Sequence, residues 1–301
     1  MSDDAPLVSV VVPFLNVAPY LGETIESVRA QTYEHWELLL CDDGATDGAS
    51  EIAARYAALD PERIRHLRHE GDAHLGASAA RNLGLRHARG QLIALLDGDD
   101  VWLPHKLAEQ VAILREHPEA DALYGLTELW NSWTGAPEDA TRDVVPPSGV
   151  ASGTLLPRRA LLEGMLTREV LVPCTCSIVM RADAVRRSGG FANEFPGIYD
   201  DVAFYSRLSL VASVLFVDRC WDRYRQHAAS TYAGVKRRGE GQEARKRYLQ
   251  WLGKYLRDTD ARDDRRLRRA LFLAKMRVRF PRLMRFAAAH RFSARTVTSN
   301  G

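Results

Sequence analysis

The stretch Leu92–Pro104, LIALLDGDDVWLP, sets the organisation of the chain. Its apolar run ends abruptly at Asp97, Gly98, Asp99 and Asp100, which predicts a buried strand with carboxylates at its tip. Gly98 gives the backbone freedom to turn at this point. Carboxylate oxygens suit Mg²⁺ or Mn²⁺, which take one or two protein carboxylates together with substrate phosphates. A plain turn before a helix is the alternative, because Asp and Gly are favoured in turns.

The composition is that of a folded chain with an uneven charge distribution. Its 301 residues are 46% hydrophobic and 27% charged, which is ordinary for a globular protein and argues against disorder. The net charge is +2, but residues 235–301 contain 20 basic and 6 acidic residues, a net charge of +14. The body is therefore acidic and the C-terminal tail basic.

The four cysteines, Cys41, Cys174, Cys176 and Cys220, include no CxxC pair, which indicates reduced thiols and no zinc site. The segment MSDDAP lacks the basic and apolar regions of a secretory signal. The sequence contains no run of 18 apolar residues, so no membrane span is predicted. The expected location is the cytoplasm, with peripheral contact at the inner face of the cell membrane as an open alternative.

Strands and helices alternate through the first hundred residues. The apolar runs predict strands over residues 7–12, 37–41 and 64–67 and a fourth beginning at Leu92, with helices over 20–31, 48–59 and 76–88 between them. This alternation predicts an α/β fold with a doubly wound, mainly parallel sheet flanked by helices. Ligands of such sheets bind outside the carboxyl ends of the strands, where Pro13, Asp43 and Asp97 fall.

The second half is less regular. We predict a core-facing helix at Lys106–Glu116, a strand at Ala122–Trp130, loops or a lid over Asn131–Arg159 and a pair of strands in Val214–Arg225.

The basic tail, residues 235–301, has helical spacing of its apolar residues, which predicts a helical extension of two or three helices with Pro281 interrupting the last. Such helices either lie on anionic lipid or pack on the rest of the protein with a solvated basic face. Nucleic-acid binding is not expected, because the tail has no recognised reader motif.

Two long segments carry a family resemblance. VSVVVPFLNVAPYLGETIESVRAQTYEHWELLLCDDGATDG and GASAARNLGLRHARGQLIALLDGDDVWLPHKL resemble the nucleotide-sugar domain of the inverting glycosyltransferases of family 2, which have a GT-A fold. CTCSIVMRADAVRRSGGFANEF and IYDDVAFYSRLSL are similar to later family elements. The resemblance implies a nucleotide-sugar-binding half at 1–110, an acceptor-binding half with the catalytic base at 111–234 and the tail at 235–301.

The resemblance also implies a donor site. Asp43 would accept a hydrogen bond from ring N3 of uracil or another base, Arg81 would lie near the base or diphosphate, and Asp97 near the ribose. Pro13 and Asn16 would contact the nucleotide through their backbone. Alternatives remain open: Asp42 or Asp43 could cap the following helix, and Arg81 could be a solvated or ion-paired side chain.

By the same resemblance, Asp99 and His227 would hold the metal, and Asp201 would be the catalytic base. Inverting transfer needs a carboxylate opposite the leaving phosphate, and a helix N-terminus would lower its pKa. Asp200 and Asp201 could instead be an N-cap, Asp100 is expected to orient the next helix, and His227 could be a surface residue. Arg223 and Arg225 are further candidates for phosphate contact.

The sequence thus predicts a Mn²⁺- or Mg²⁺-dependent inverting glycosyltransferase. It would move one sugar from a nucleoside diphosphate sugar, most simply a UDP-sugar, to a hydroxyl of a glycan, lipid-linked or protein acceptor in bacterial cell-surface glycan assembly. A catalytically silent nucleotide-sugar-binding scaffold is the alternative from another class. A nucleotidyltransferase is disfavoured, because no Gly-rich phosphate loop follows the first strand.

Overall fold

The computed structural model describes residues 5–195 and 197–280. The first half has the predicted alternation of strands and helices. Its elements are β1 (Val8–Phe14), α1 (Ala18–Arg29), β2 (Trp36–Asp42), α2 (Ala49–Leu59), β3 (Ile64–Arg68), α3 (Ala77–His87) and β4 (Leu92–Leu95).

The second half mixes short strands with helices. Its strands are β5 (Val101–Trp102), β6 (Ala122–Trp130), β7 (Thr154–Leu156), β8 (Val179–Arg181) and β9 (Val214–Arg225). Its helices are α4 (Lys106–Glu116), α5 (Pro137–Ala140), α6 (Ala160–Thr167), α7 (Ala182–Ser188), α8 (Asp200–Val211), α9 (Thr231–Arg238), α10 (Gly241–Tyr255) and α11 (Arg265–Arg279). The prediction of two strands in Val214–Arg225 was wrong: this is one strand, paired along its length with β6.

The nine strands of the described ranges form one sheet in the order β3-β2-β1-β4-β8-β6-β9-β5, with β7 on β9. The pairs β3–β2, β2–β1 and β1–β4 are parallel, as the α/β pattern predicts. The strand β8 is antiparallel to both β4 and β6, so the complete sheet is mixed. The carboxyl ends of β1, β2 and β4 therefore meet at one edge.

The β-branched first strand is covered on both faces. Val10 and Val12 pack in one hydrophobic cluster with Leu21 and Ile25 of α1. Val11 belongs to the other cluster. Alternate residues of a strand point to opposite faces, so the unbroken apolar run VSVVV supplies both layers of the core.

The helices after residue 235 share the larger core. Leu249 and Leu252 of α10, and Leu267 and Leu271 of α11, are buried in one cluster with Leu208 of α8. The helix α11 packs on α6 and α10. These helices therefore pack on the rest of the protein, which is one of the two roles that their amphipathic spacing allowed. Pro281 and the remaining predicted helix lie outside the described residues.

None of the helices in the described ranges combines the length and apolar content needed to cross a membrane.

Candidate active site

A cleft of about 860 Å³ opens at the carboxyl ends of β1, β2 and β4. It brings together six of the eight residues that the sequence singled out: Pro13, Asp43, Arg81, Asp97, Asp99 and Asp201. Asn16 and His227 are not in the cleft wall, although His227 contacts a wall residue. The predicted crevice is therefore present, and it extends well into the second half of the chain.

The DGDD turn is compact because β1 lies directly against it. A Cβ atom at Gly98 would be 2.9 Å from Cβ of Phe14 and 3.2 Å from the Pro13 carbonyl oxygen. The φ angle of Gly98 is not positive, so glycine is required here for close approach and not for an unusual turn conformation. Since β1 and β4 are neighbouring parallel strands, this contact sets Asp97 and Asp99 at the mouth of the cleft.

Asp100 does not orient the following helix as expected. Its side chain is fully buried, and its Oδ1 accepts a hydrogen bond of 2.9 Å from the backbone N–H of Arg225. The residue therefore ties the DGDD turn to β9, and α4 begins without a side-chain cap at His105.

Arg81 joins the two halves of the cleft. Its Nη2 donates to Asp97 Oδ1 at 2.6 Å, and its Nη1 donates to Asp200 Oδ2. The arginine side chain is 7% exposed, so both pairs are strong candidates for a structural role. The ion-pair alternative thus describes Arg81 in this structure, while contact with the donor stays a prediction.

Asp99 and His227 form the candidate metal site. Asp99 Oδ2 lies 2.9 Å from His227 Nε2, and the imidazole is 5% exposed, so His227 is no surface residue. Its Nδ1 is buried and has no hydrogen-bond partner in the part of the chain that the structure describes. Neighbouring ligands of an octahedral Mg²⁺ lie about 3 Å apart, so the two side chains fit adjacent positions around one ion. Remaining positions would be left for water and donor phosphates.

Asp43 organises the loop before α3. Its Oδ1 accepts from the backbone N–H groups of Leu75 (2.9 Å) and Gly76 (3.0 Å), and its Oδ2 lies 2.7 Å from His74 Nδ1. It does not cap α2, because the N-cap position of that helix is occupied by Gly48, which has no side chain to form a capping hydrogen bond. Since Asp43 is in the cleft wall, a nucleobase would meet this carboxylate and the His74 ring together.

Asp42 has a separate, structural role. Its Oδ1 accepts from the backbone N–H groups of Gly44 and Ala45, at 3.0 and 2.8 Å, and Oδ2 lies 3.2 Å from His66 Nε2. Although burial opposes ionisation, these hydrogen bonds lower the pKa of Asp42 to about 2. The carboxylate thus stays ionised and holds the turn after β2.

Asn16 also shapes a loop. Its backbone has a positive φ of 52°, and its Oδ1 accepts from the Thr46 backbone N–H at 2.8 Å. The side chain ties the loop after β1 to the loop after β2 and stays outside the cleft wall. Pro13 lines the cleft from the end of β1.

Asp200 and Asp201 begin α8 but differ in their partners. Tyr199 occupies the N-cap position with a φ of 71°, so neither aspartate is the N-cap. Asp200 is ion-paired with Arg81. Asp201 is half-buried, its Oδ1 accepts from the backbone N–H of Val202 at 2.7 Å, and within the described ranges it forms no ion pair.

The electrostatics of Asp201 differ from the sequence expectation. Burial, followed by the neighbouring charge of Asp200, raises the pKa of Asp201 to about 7. We expected the helix N-terminus to lower it; desolvation and like charge outweigh the helix dipole here. A carboxylate with a pKa near neutrality suits proton transfer at physiological pH.

Arg223 and Arg225 are used within the protein. Arg223 Nε donates to Glu128 at 2.7 Å. Arg225 is buried, pairs with Glu23 at 2.6 Å and donates from Nε to the Asp99 carbonyl oxygen at 2.8 Å. Arg225 therefore supports the turn that carries Asp99, and the cleft wall includes neither arginine.

Several cleft residues escaped the sequence reasoning. The wall also includes His74, Thr175 and Tyr199, together with Lys236 of α9 and Arg245 of α10. The helical spacing of the basic tail, residues 235–301, was visible in the sequence, but it did not reveal that α9 and α10 form one side of the cleft.

Comparison with known proteins identifies a family and relatives of this chain. The model of the family described as "Glycosyl transferase family 2" matches residues 9–187. The glucosyltransferase WfgD of Escherichia coli, named UDP-Glc:alpha-D-GlcNAc-diphosphoundecaprenol beta-1,3-glucosyltransferase, is 32% identical over 60% of this chain and 68% of its own length. EpsE and TuaG of Bacillus subtilis are 44% and 36% identical over 38% and 48% of this chain, and the matches span 41% and 58% of those proteins.

Solved structures share the fold. Staphylococcus aureus TarS 1-349 in complex with UDP-GlcNAc superposes with a TM-score of 0.66 at 20% identity, over 88% of this chain and 71% of that one. Mannosyltransferase PcManGT from Pyrobaculum calidifontis, in complex with GDP-Man and Mn²⁺, gives 0.63 at 19% identity over 99% and 77%. At these identities the likeness establishes the GT-A fold, as predicted. Because the family model covers more than half of its residues, the chain belongs to glycosyltransferase family 2.

Proposed function

We propose that this protein is a metal-dependent inverting glycosyltransferase that moves one sugar from a nucleoside diphosphate sugar to an acceptor hydroxyl. The observation that carries the proposal is the meeting of Asp43, Asp97, Asp99 and Asp201 in one cleft. The first three lie beside His74, Arg81 and His227, respectively. Among the described residues, Asp201 forms no comparable contact with an arginine or histidine side chain and is free to take a proton.

In the proposed reaction Asp201 accepts the proton of the acceptor hydroxyl. The hydroxyl oxygen attacks the anomeric carbon from the side opposite the diphosphate, the bond from that carbon to the phosphate oxygen breaks, and the configuration inverts. Asp99 and His227 would hold a Mn²⁺ or Mg²⁺ ion, which supplies charge neutralisation for the leaving diphosphate. Arg81 forms an ion pair with Asp200, so Asp200 is not free to act as the base in place of Asp201.

The donor class we favour is a UDP-sugar. Asp43 can accept a hydrogen bond from the N3–H group of uracil, and the names of WfgD and the TarS complex both include UDP-sugars. The GDP-Man complex of PcManGT shows that a related fold accommodates another base. The identity of the donor nucleotide is therefore the first property to determine.

The acceptor side suits an amphiphilic, phosphate-bearing molecule such as a lipid-linked glycan. The wall of the cleft that holds Asp201 also includes the apolar Met165, Leu166 and Val172 and the basic Lys236 and Arg245. Apolar contacts would accommodate a lipid segment, and the cations would pair with phosphate. Bacterial surface-glycan assembly at the inner face of the membrane is the setting that we propose.

The basic face of α11 supports membrane contact. Its apolar residues Leu267 and Leu271 are buried, whereas Arg265, Arg268 and Arg269 are exposed. The helix can therefore pack on the protein and still present cations to anionic lipid. The two roles of the tail that the sequence left open are compatible for this helix.

Calorimetry with UDP-, GDP-, CDP- and dTDP-sugars, each with and without Mn²⁺, tests the proposal. We expect the sugar nucleotides of one nucleobase to bind, and to bind more tightly with Mn²⁺. Failure of every donor to bind would contradict the proposal and the nucleotide-sugar-binding scaffold alike. Donor binding without turnover under any acceptor, including water, would favour the catalytically silent scaffold.

A further inference from the structure

Two cysteines and an aspartate meet behind the wall of the cleft. Cys174 Sγ lies 2.9 Å from Cys176 Sγ, and Cys176 Sγ donates to Asp222 Oδ1 at 3.2 Å. The carboxylate of Asp222 is fully buried, and the Thr127 hydroxyl lies close to it. The proposed transfer reaction does not use these three side chains.

The two thiols differ in access. Cys174 is half-buried, whereas Cys176 is completely buried within the turn Thr175–Ser177. Thr175, the residue between them, is part of the cleft wall. An oxidant can therefore reach Cys174 first, and Cys176 is positioned to react only with its neighbour.

A buried lysine next to the cluster disfavours a metal ion there. Lys106 is fully buried and donates from Nζ to the Ser177 carbonyl oxygen at 3.1 Å and to Gln110 Oε1 at 2.7 Å. Burial lowers the pKa of Lys106 to about 8, opposed mainly by Asp222, so the ammonium form still predominates at pH 7. A divalent cation beside this ammonium would be repelled.

The spacing of the sulfur atoms also argues against zinc. Two cysteine ligands of a tetrahedral Zn²⁺ lie about 3.8 Å apart, since each Zn–S bond is about 2.3 Å. The observed 2.9 Å is too short for that arrangement, and it leaves the two sulfurs less than 1 Å from the bond distance of about 2.05 Å in a disulfide. The cluster is better suited to two thiols that join.

We propose that Cys174 and Cys176 form a reversible redox-modification site, in which a peroxide-class oxidant converts the two thiols to a disulfide and Asp222 carries the proton of Cys176. In the first step the Cys174 thiolate attacks one peroxide oxygen. The O–O bond breaks, sulfur loses two electrons, and the products are Cys174 sulfenic acid and hydroxide, which becomes water on protonation.

The second step closes the ring. Cys176 passes its proton to Asp222, and its thiolate attacks the Cys174 sulfur. The S–S bond forms as the S–O bond breaks, and the departing hydroxide leaves as water with the proton that Asp222 holds. Burial raises the pKa of the Cys176 thiol well above its usual range, so a carboxylate in direct contact is needed to remove the proton.

Hydrogen peroxide treatment followed by alkylation and mass spectrometry tests the proposal. Trypsin releases both cysteines in the peptide of residues 169–181. We expect this peptide to lose both alkylatable thiols and about 2 Da, the mass of two hydrogen atoms, and dithiothreitol to restore it. Oxidation of Met180 in the same peptide would instead add about 16 Da and is thus distinguishable.

Three variants refine the test. Cys220→Ser, which removes a nearby half-buried thiol, should leave the disulfide unchanged. Cys176→Ser should stop at Cys174 sulfenic acid, which dimedone labels. In Asp222→Asn the disulfide should form slowly, because Cys176 lacks its proton acceptor. Cys174 sulfenic acid should therefore accumulate first.

Four results would overturn the proposal: retention of both thiols in the native protein, a disulfide that includes Cys220, dimedone labelling of Cys174 as high in the native protein as in Cys176→Ser, or stoichiometric zinc in the purified protein that Cys176→Ser removes. The first and second are measured on the native protein and need no variant to fold. None of the four depends on the proposed glycosyl transfer.

Discussion

Arg81 Nη1 donates to Asp200 Oδ2, so α3 is joined directly to the first residue of α8. The same guanidinium holds Asp97. This bridge connects the strand-tip carboxylates with the helix that carries the proposed base, whereas Asp201 forms no ion pair with any described residue.

Removing the bridge should destabilise the fold. Arg81→Gln would leave Asp97 and Asp200 partly buried without their shared cation, and loss of one partner of a buried pair costs about 3–5 kcal/mol. We expect the free energy of unfolding, measured in urea, to fall by about 3 kcal/mol. Arg86→Gln, an exposed arginine on the same helix, should change it by less than about 0.5 kcal/mol. Equal effects of the two variants would contradict the bridging role.

Asp99→Asn should abolish the effect of the metal on donor binding. The amide keeps the size of the side chain but offers one weaker oxygen ligand and no negative charge. In calorimetry, Mn²⁺ should no longer tighten binding of the donor, whereas Asp218→Asn, an exposed position on β9, should behave as the native protein. An unchanged Mn²⁺ effect in Asp99→Asn would move the metal site elsewhere.

The rate of transfer should rise with pH through about 7, because Asp201 acts as a base only when ionised and its pKa is raised to about that value. Below that pH, the rate should fall about tenfold per unit. Asp200→Asn removes the neighbouring charge and should shift the profile of kcat to lower pH. A flat profile between pH 5 and 8 in the native enzyme would contradict the assignment of Asp201.

The raised pKa of Asp201 means that ionisation of this side chain destabilises the folded protein. Ionisation of a carboxylate whose pKa is lowered by folding has the opposite effect. The folded protein binds the Asp201 proton more tightly than the unfolded chain, whose pKa is about 3.9, so ionisation of this group costs stability as pH rises from about 4 to 7. Asp201→Asn should therefore raise the Tm at pH 8, with the gain disappearing below about pH 4. A lower Tm of the variant at pH 8 would contradict this account.

The exposed arginines of α11 should bind anionic lipid. Each basic side chain near an anionic surface contributes about 1 kcal/mol, so replacing Arg265, Arg268 and Arg269 by Gln should weaken vesicle binding roughly a hundredfold. Because these side chains are exposed, the circular dichroism spectrum should be unchanged. Co-sedimentation with phosphatidylserine vesicles measures the effect, and equal binding of the triple variant would exclude this surface.

Local patterns predicted much of the donor side. Apolar runs that end in Asp identified the strand tips at Asp43 and Asp97, because parallel strands place their carboxyl ends at one edge. The bridge from Arg81 to Asp200 spans 119 residues and the contact of Asp99 with His227 spans 128, so no local period could reveal either. Only the family resemblance suggested His227.

The second half was harder to predict for a physical reason. Helical spacing in α10 identified Tyr248 and Leu249 as one face of a helix, but not the surface against which that face packs. Likewise, the sequence placed Asp201 at a helix start, where the dipole lowers a pKa, and gave no measure of the burial that raises it. Contacts distant along the chain decide both features.

The most direct test measures donor binding and turnover on the same preparation of Asp201→Asn. Release of nucleoside diphosphate, with water as acceptor if no better one is known, reports turnover without knowledge of the acceptor. We predict that the variant binds the donor and Mn²⁺ as the native protein does and loses at least about 99% of its turnover. Turnover within about threefold of the native rate would contradict the account and assign the base to another residue.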